Sequence, residues 1–409
     1  MKISKIEYII VFLLSVLYYD KYGGSFFRIF PVTILEILII ILALYIYVKK
    51  KEKIIFKKSY GLVLFLIIMI LWSLMWTNAP IYGTSKVFYL FLTVVLFYFI
   101  APIIYRHFLL FLKIQVFFYA LYLFDLYLAY GFIDTLILEM NMNFRLGWEE
   151  DQTVLFHPIG ISRYITMGIL NIIFLLYVNK KNNKIIIFIY SILVVYGSIY
   201  LFFSGTRTPI LAMILSLLFL VVINQYTKIK TKVMVVSIPI LLFTLFQVFL
   251  SLDLGWSSEQ KKFIEYRYMD NDSAIGDRSW QFNRATKNID LDMVLLGKGS
   301  GDFAYEFYKK DIRQYSHNLF TEIFFENGIF PLLSIFWIIL IIFYHTRKSN
   351  SKVSNYVIVL FYNGLINAMF SGDLLSNNFI FGYFIMIIYF SKYNTINKKI
   401  GSRQLNELC

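Results

Sequence analysis

The feature that most constrains this sequence is a series of long apolar runs separated by polar connections. Apolar residues make up 59% of the 409 residues, whereas charged residues make up only 16%. A run of about 20 apolar residues can cross the hydrocarbon core of a bilayer as a helix, which satisfies its backbone hydrogen bonds internally. A soluble core cannot absorb so many runs of this kind. The sequence therefore predicts an all-α polytopic integral membrane protein.

The runs predict about twelve transmembrane helices and one long polar loop. Residues 1–251 hold the first nine helices, with a smaller polar loop at 131–162, and residues 319–391 hold the last three. Residues 252–318 form the long loop, and residues 392–409 form a tail. The predicted spans lie at about 6–19, 32–48, 60–77, 87–104, 108–129, 163–178, 185–203, 208–223, 233–251, 325–344, 354–370 and 378–391.

The distribution of basic residues predicts the orientation of these helices. The chain has 39 Lys and Arg residues, and more than half of them cluster in alternate loops and at both termini. The opposite short loops carry only Lys21, Arg28, Lys86, Arg145, Arg163 and Arg207. By the positive-inside rule, both termini are cytoplasmic and the long loop is extracytoplasmic. The basic clusters form no single face and carry no base-stacking motif, which argues against nucleic acid as a partner.

The long loop is the largest polar segment and holds nearly half of the chain's 25 acidic residues. A loop of this length is expected to fold over the membrane surface as short helices. Residues 276–280 begin a stretch through Ile289 with helical spacing of Trp280, Arg284 and Lys287. Arg278 can be a second phosphate-binding arginine, but for any one arginine of this loop the sequence favours a solvated ion pair. The Gly-rich run at 297–301 lacks the spacing of a P-loop, so we interpret it as a flexible turn.

The connection between the seventh and eighth predicted spans reads Ser-Gly-Thr-Arg-Thr-Pro over residues 204–209. Gly205 can end one helix, and Thr208 followed by Pro209 is typical of the start of the next. Arg207 beside the amide donors of that helix favours a phosphate group. The alternative is an interfacial anchor that reaches for lipid headgroups, and the local sequence leaves both open.

His317 and Asn318 close the long loop where an apolar helix begins. A neutral imidazole at this position can take a proton from a hydroxyl group, although a histidine can also serve only as a helix cap. Glu322 and Glu326 follow one helical turn apart. They can orient the imidazole or bind sugar, or they can be polar residues at the membrane interface, and the sequence favours the interface.

The sequence gives no indication of a metal or other cofactor. No Asp-x-Asp motif lies in a suitable extracytoplasmic position, and no His or Cys spacing fits zinc. We therefore expect chemistry that is independent of metal.

The order of these features resembles the O-antigen polymerase and O-antigen ligase superfamily of bacterial envelope glycosyltransferases. The resemblance covers roughly residues 195–345, from the Arg-Thr-Pro connection through the Arg-Ser-Trp segment at 278–280 to the end of the loop. Its most specific part is His317-Asn318-x9-Gly328-Ile329-Phe330-Pro331. Pro331 is a departure, because family members often carry a second glycine there.

The resemblance implies a GT-C-like fold in the bacterial cytoplasmic membrane, with an active site on the extracytoplasmic face. It implies a donor and an acceptor oligosaccharide that are both linked to undecaprenyl diphosphate. A chain-length regulator and a flippase are the expected protein partners. Arg207 and Arg278 would hold the donor diphosphate, and His317 would activate the acceptor hydroxyl. The expected additional substrate contacts are Asn318, Glu322, Arg284, Arg145 and His157.

The favoured hypothesis is a polysaccharide polymerase that joins lipid-linked repeats into O-antigen or capsular polysaccharide by inverting glycosyl transfer. An O-antigen ligase uses the same kind of donor but transfers finished polymer to lipid A-core, and the sequence shows no feature tied to lipid A-core. A lipid-linked sugar transporter would need several ionisable residues near the bilayer midplane. The candidates for that role are few: Glu36, Lys113 and Asp125.

Overall fold

The structure is a computed structural model of the chain. It describes residues 5–21, 31–51, 57–131, 158–179, 183–225, 228, 257–258, 261–262, 291–313 and 316–391. Every regular element in these ranges is an α-helix. The ninth predicted span, at 233–251, lies outside them.

The helices of the described residues are numbered here in chain order. They are α1 (Lys5–Lys21), α2 (Val32–Lys50), α3 (Tyr60–Ser73), α4 (Pro80–Arg106), α5 (Phe108–Tyr130), α6 (Pro158–Val178), α7 (Lys184–Phe203), α8 (Arg207–Ile223), α9 (Leu291–Leu296), α10 (Asp302–Tyr308), α11 (Leu319–Asn327), α12 (Ile329–Lys348), α13 (Lys352–Phe370) and α14 (Phe379–Ser391).

Among the described residues, seven helices are long and apolar enough to cross a membrane, namely α2, α4, α5, α6, α7, α12 and α13. Shorter apolar helices, α3, α8 and α14, accompany them. On α7, the side chains of Ile185, Phe188 and Val195 are 65%, 66% and 61% exposed, and a membrane protein covers such a surface with lipid. The prediction of an all-α polytopic membrane protein is confirmed. The number of twelve spans, the GT-C-like arrangement and the orientation stay predictions.

Two helices begin earlier than the sequence predicted. α4 begins at Pro80 and α6 at Pro158, whereas the predicted spans began near residues 87 and 163. Lys86 and Arg163, which were expected in short loops, therefore lie inside helices and are only 1% and 9% exposed. The predicted spans were apolar runs, and such a run ends at a charged residue. The helix itself can continue through that residue where other parts of the protein compensate its charge.

The chain divides into two compact units, of which the first comprises residues 1–43, 106–221 and 228–273. In this unit α5 packs against α1 and α6, and α6 packs against α7. The hydroxyl of Tyr19 on α1 donates a hydrogen bond to Asp125 on α5. Glu7 accepts a hydrogen bond from Arg106 Nη2 at 2.7 Å. Asp125 was a candidate for the ionisable residues that a transporter needs, and its carboxylate is hydrogen-bonded to Tyr19 within the same unit.

The second unit comprises residues 44–105, 222–227 and 274–409. Its centre is α11, a helix of nine residues that contacts α3, α9, α10, α12 and α13. Phe325 of α11 packs with Met293 and Phe303 in a buried cluster, and the Phe303 and Phe325 ring centroids are 5.6 Å apart. The end of the long loop, which contains α9 and α10, is therefore folded onto α11.

Candidate functional site

The predicted site residues fall in different parts of the structure. His317, Asn318 and Glu322 lie together in the second unit at the start of α11, whereas Arg207 is in the first unit. The remaining candidates lie outside the described residues: Arg145, His157, Arg278 and Arg284.

Asn318 caps the N-terminus of α11. Its Oδ1 accepts hydrogen bonds from the backbone amides of Phe320 and Thr321 at 2.9 and 3.1 Å. Its Nδ2 donates to the carbonyl oxygen of Met369, near the end of α13, at 2.9 Å. A cap of this type typically contributes about 1 kcal/mol. Asn318 therefore fixes the start of α11 against α13, and its predicted substrate contact stays a prediction.

His317 has an unusual backbone conformation with φ at 58°. This left-handed region costs a residue with a side chain about 1–2 kcal/mol, and it persists only where neighbouring contacts determine it. The Asn318 cap provides such contacts, and the hydroxyl of Ser316 donates to the Asn318 carbonyl at 2.9 Å. Backbone strain of this kind clusters at active sites. The conformation supports His317 as a candidate for chemistry.

A buried ion cluster joins α11 to α4. Lys86 Nζ donates to both carboxylate oxygens of Glu326, at 2.8 and 2.7 Å, and to Oε1 of Glu322. None of the three side chains is more than 1% exposed. Lys86 Nζ also lies 4.4 Å from the centre of the Tyr82 ring. The expectation that Glu322 and Glu326 are interfacial polar residues is wrong, because both are buried against one ammonium group.

The cluster holds two carboxylates for one ammonium, and further donors surround it. The amide of Leu374 donates to Glu322 Oε2 at 3.0 Å, and the amides of Gly301 and Phe303 hydrogen-bond Glu326. Burial raises the pKa of Glu322 to about 8, against the opposite effect of Lys86. The two carboxylates thus share the Lys86 ammonium and three backbone amide donors, which offset the large cost of burying their charge.

A second ion pair adjoins this cluster. Asp373 is fully buried and accepts hydrogen bonds from Nε and Nη2 of Arg313 at 2.9 and 3.0 Å. The Tyr82 hydroxyl and the Ser376 amide donate to the same carboxylate. Burial by itself would raise the pKa of Asp373, but the hydrogen bonds and charge of Arg313 hold it below its ordinary value. The Asp373 carboxylate is therefore ionised throughout the physiological range.

The Gly-rich turn at 297–301 is closely fitted, and the prediction of a flexible turn is wrong. Two of its amides donate to the carbonyls of Phe325 and Glu326 at 2.8 and 2.9 Å. Gly297 has φ at 74°, and a Cβ there would lie 2.3 Å from the carbonyl carbon of Glu326. The turn thus satisfies carbonyl groups in the last turn of α11, which have no partner within the helix.

Two aspartates anchor the same loop to the connection between α3 and α4. Asp302 accepts hydrogen bonds from the Asn78 amide at 2.7 Å and the Thr77 hydroxyl at 2.8 Å. Asp311 accepts from the amides of residues 81 and 82, at 2.8 and 3.1 Å. These amides have no intrahelical partner at the start of α4, so Asp311 serves as its cap. The loop is therefore docked at several points around α11.

In the first unit, Arg207 is the first residue of α8. The predicted cap at Thr208 is wrong, because the helix begins two residues earlier than expected for that cap. The residue before the helix is Thr206, whose hydroxyl hydrogen-bonds Ser204 Oγ at 2.8 Å and Ser162 Oγ. Arg207 thus stands at a helix N-terminus as predicted, and its contact with phosphate stays a prediction.

Sequence reasoning missed Lys86, Arg313 and Asp373 as parts of this site. A lysine near the start of an apolar helix indicates that a counter-charge is buried near it, but it does not identify the acidic residue that supplies that charge. No comparable signal marks Arg313 and Asp373, whose pairing joins a loop to the connection between α13 and α14.

Within the described ranges, no group of three or more His, Cys, Asp and Glu side chains is placed to hold a metal ion. Glu322, Glu326 and Asp373 of the second unit pair with Lys86 and Arg313 instead.

Residues 192–336 match the family model Wzy_C, which is described as O-Antigen ligase. The match runs from α7 into α12, so it includes Arg207, the long loop and the segment from His317 to Gly328. It confirms the resemblance to the O-antigen polymerase and ligase superfamily. A search of curated proteins and a search of solved structures gave no match.

Gly328 offers a test of how tightly α11 is held. It separates α11 from α12 with φ at 80°, and an added Cβ would lie 2.4 Å from the carbonyl oxygen of Leu295. We expect Gly328→Ala to destabilise the protein by about 2 kcal/mol or more, since it combines backbone strain with a clash against α9. The melting temperature of the purified protein measures this effect.

Gly61→Ala in α3 is the matched control, because a Cβ there meets no atom within 4 Å. Alanine is also the better helix former, so this variant should be as stable as the wild type or slightly more stable. Equal melting temperatures for Gly328→Ala and the wild type would contradict the close packing of α11.

Proposed function

We propose that this membrane protein, whose residues 192–336 match the O-antigen ligase family, is a polysaccharide polymerase of the bacterial envelope. It joins oligosaccharide repeats carried on undecaprenyl diphosphate into O-antigen or capsular polysaccharide, at the extracytoplasmic face of the cytoplasmic membrane. The observation that carries the proposal is the His317–Asn318 pair at the N-terminus of α11, inside the matched segment.

In the proposed reaction, a hydroxyl of the acceptor sugar attacks the anomeric carbon of the donor. The new glycosidic C–O bond forms as the bond from the anomeric carbon to the phosphate oxygen breaks. The lipid diphosphate leaves with the bonding electron pair, and the anomeric configuration inverts. His317 takes the proton of the attacking hydroxyl, a role that typically contributes about 10² to 10⁴ in rate.

Arg207 and Arg278 have the proposed task of binding the donor diphosphate. A guanidinium is permanently charged and matches phosphate oxygens with paired N–H donors. It can therefore compensate the charge that develops on the leaving group, a task that Mg²⁺ performs in many phosphate-transferring enzymes. The position of Arg207 at the N-terminus of α8 supports this role, because helix amides and the helix dipole favour an anion there.

The buried network has a positioning role in this proposal. Glu322, which the sequence assigned to substrate, is 1% exposed, so it acts on α11 through Lys86. Because Asn318 caps α11, it also fixes the backbone position of His317, the preceding residue. The imidazole is thereby held in place before the substrates arrive, which reduces the entropy lost on reaching the transition state.

An O-antigen ligase is the second candidate, and the description of the matching family favours it. A deletion strain distinguishes the two enzymes. Loss of a polymerase leaves single repeats on the core or in the lipid-linked pool, whereas loss of a ligase leaves long polymer on its lipid carrier.

We expect His317→Asn to abolish polymer formation by the purified protein with a defined lipid-linked repeat. Asparagine tolerates the left-handed backbone at this position but cannot take up the proton. Polymer length on a gel measures the effect, and the melting temperature confirms folding. His345→Asn, at the end of α12, is the control and should retain activity. A wild-type length distribution in His317→Asn would exclude the histidine from the mechanism.

Arg207→Lys should lower activity by about 10-fold or more, because a point charge cannot replace a paired guanidinium contact with phosphate. Arg347→Lys, in the last turn of α12, is the matched control and should be active. The rate of lipid diphosphate release in the same reaction gives the readout. Full activity of Arg207→Lys would mean that Arg207 is only an interfacial anchor.

A further inference from the structure

We propose that Arg313 binds the diphosphate of the lipid-linked substrate and that Asp373 positions it for this task. The inference rests on the proposed function and adds to it a binding residue from the same unit as His317. The structural basis is the ion pair between Arg313, whose guanidinium is partly exposed to solvent, and Asp373, whose carboxylate is buried and hydrogen-bonded.

The geometry of the pair fixes the guanidinium plane. Nε and Nη2 of Arg313 donate to the two oxygens of Asp373 at 2.9 and 3.0 Å, and such a bidentate contact sets orientation as well as distance. The Asp373 side chain is 0% exposed, whereas that of Arg313 is 51% exposed. The pair has no net charge, but it holds the guanidinium and its N–H donors in a defined orientation at the protein surface.

Asp373 is itself held by further contacts. The Tyr82 hydroxyl, the Ser376 amide and the Ser376 hydroxyl all hydrogen-bond its carboxylate. Supporting contacts of this kind are what keep a binding side chain in its productive geometry.

A simple anchoring role explains less of this arrangement. The loop before His317 is already docked by Asp302, Asp311 and the Gly-rich turn, so an additional anchor is not needed to hold it. The contacts of Tyr82 and Ser376 with Asp373 fix the orientation of Arg313, which is what binding a substrate anion requires.

Arg313 and His317 are held on the same short segment. Arg313 bonds to Asp373, and Asn318, next to His317, bonds to the carbonyl of Met369. The four-residue separation of Arg313 and His317 limits their Cα distance to about 14 Å. In the donor, the diphosphate is attached directly to the reacting carbon. Within that limit, the Arg313 guanidinium can bind the donor phosphate while the His317 imidazole accepts the proton of the acceptor hydroxyl.

The acidic residues in this part of the second unit are engaged by other groups. Asp311 is engaged by two backbone amides of α4, and Glu322 and Glu326 are buried with Lys86. Lys310, which precedes Asp311 on the loop, is exposed, and the exposed Lys309 pairs with Glu306 at 3.9 Å. With these charges paired, an anion is held by the oriented guanidinium donors and not by a general excess of positive charge.

The binding test uses the full-length protein in phosphatidylcholine nanodiscs, titrated with geranylgeranyl diphosphate. We expect Arg313→Gln to weaken the affinity by about 10-fold or more, and Arg313→Lys to weaken it less, because the lysine retains the charge but loses the paired donors. Asp373→Asn should also weaken it, since the guanidinium loses its charged support. Lys348→Gln, an exposed lysine in the last turn of α12, is the control and should bind as the wild type does.

Two results would overturn the inference. One is equal affinity of the wild type, Arg313→Gln and Arg313→Lys. The other is full competition by phosphatidylglycerol nanodiscs, which would assign Arg313 to bilayer headgroups. Melting temperatures identify any variant that fails to fold, in which case Arg313→Lys carries the comparison.

Polymerisation kinetics separate this inference from the proposed function. Arg313→Gln should raise KM for the lipid-linked donor more than it lowers kcat, whereas His317→Asn should abolish kcat. Polymer formation with an unchanged KM in Arg313→Gln would overturn the inference and leave the function standing. Diphosphate binding through Arg313 without any polymer formation would support the inference and contradict the polymerase.

Discussion

The architecture of the second unit depends on one ammonium group, that of Lys86, enclosed by the carboxylates of Glu322 and Glu326. A helix of nine residues such as α11 is too short to be stable by itself in water. The ion cluster fixes it to α4, while the aromatic cluster around Phe325 and the neighbouring helices bury its apolar face. An uncompensated charge in this environment costs several kcal/mol. Any displacement of α11 that separates the two glutamates from Lys86 is therefore unfavourable, and the ion cluster fixes the position of the helix.

The proposed chemistry follows from that fixed helix. Asn318 caps α11 and bonds to the end of α13, which holds His317 in its left-handed conformation at the helix start. Tyr82 extends the network from Lys86 to Asp373 and so to Arg313, which reaches solvent. A candidate base and a candidate phosphate-binding arginine are thus positioned by a single set of buried contacts. Glycosyl transfer from a lipid diphosphate needs both kinds of group.

Hydropathy and turn chemistry predicted much of this architecture. The apolar runs predicted the membrane class because a bilayer requires internally bonded helices, and the segment around His317 was identified from its position at a helix start. The location of Lys86 inside α4 and the burial of Glu322 were not predictable in the same way. Their pairing spans 236 residues, and a local pattern cannot show which distant charge compensates a given residue. The Gly-rich turn was mistaken for a flexible one for the same reason, since its partners are carbonyls of α11.

The central claim is that Lys86 and the two glutamates act as one charge-compensated unit, and its most direct test is a comparison of unfolding free energies. Lys86→Met alone leaves two buried carboxylates without their cation and should cost about 3–5 kcal/mol. The triple variant Lys86→Met, Glu322→Gln, Glu326→Gln removes the charges together and should recover most of that loss. Wild-type stability of Lys86→Met, or a triple variant no more stable than the single one, would contradict the account.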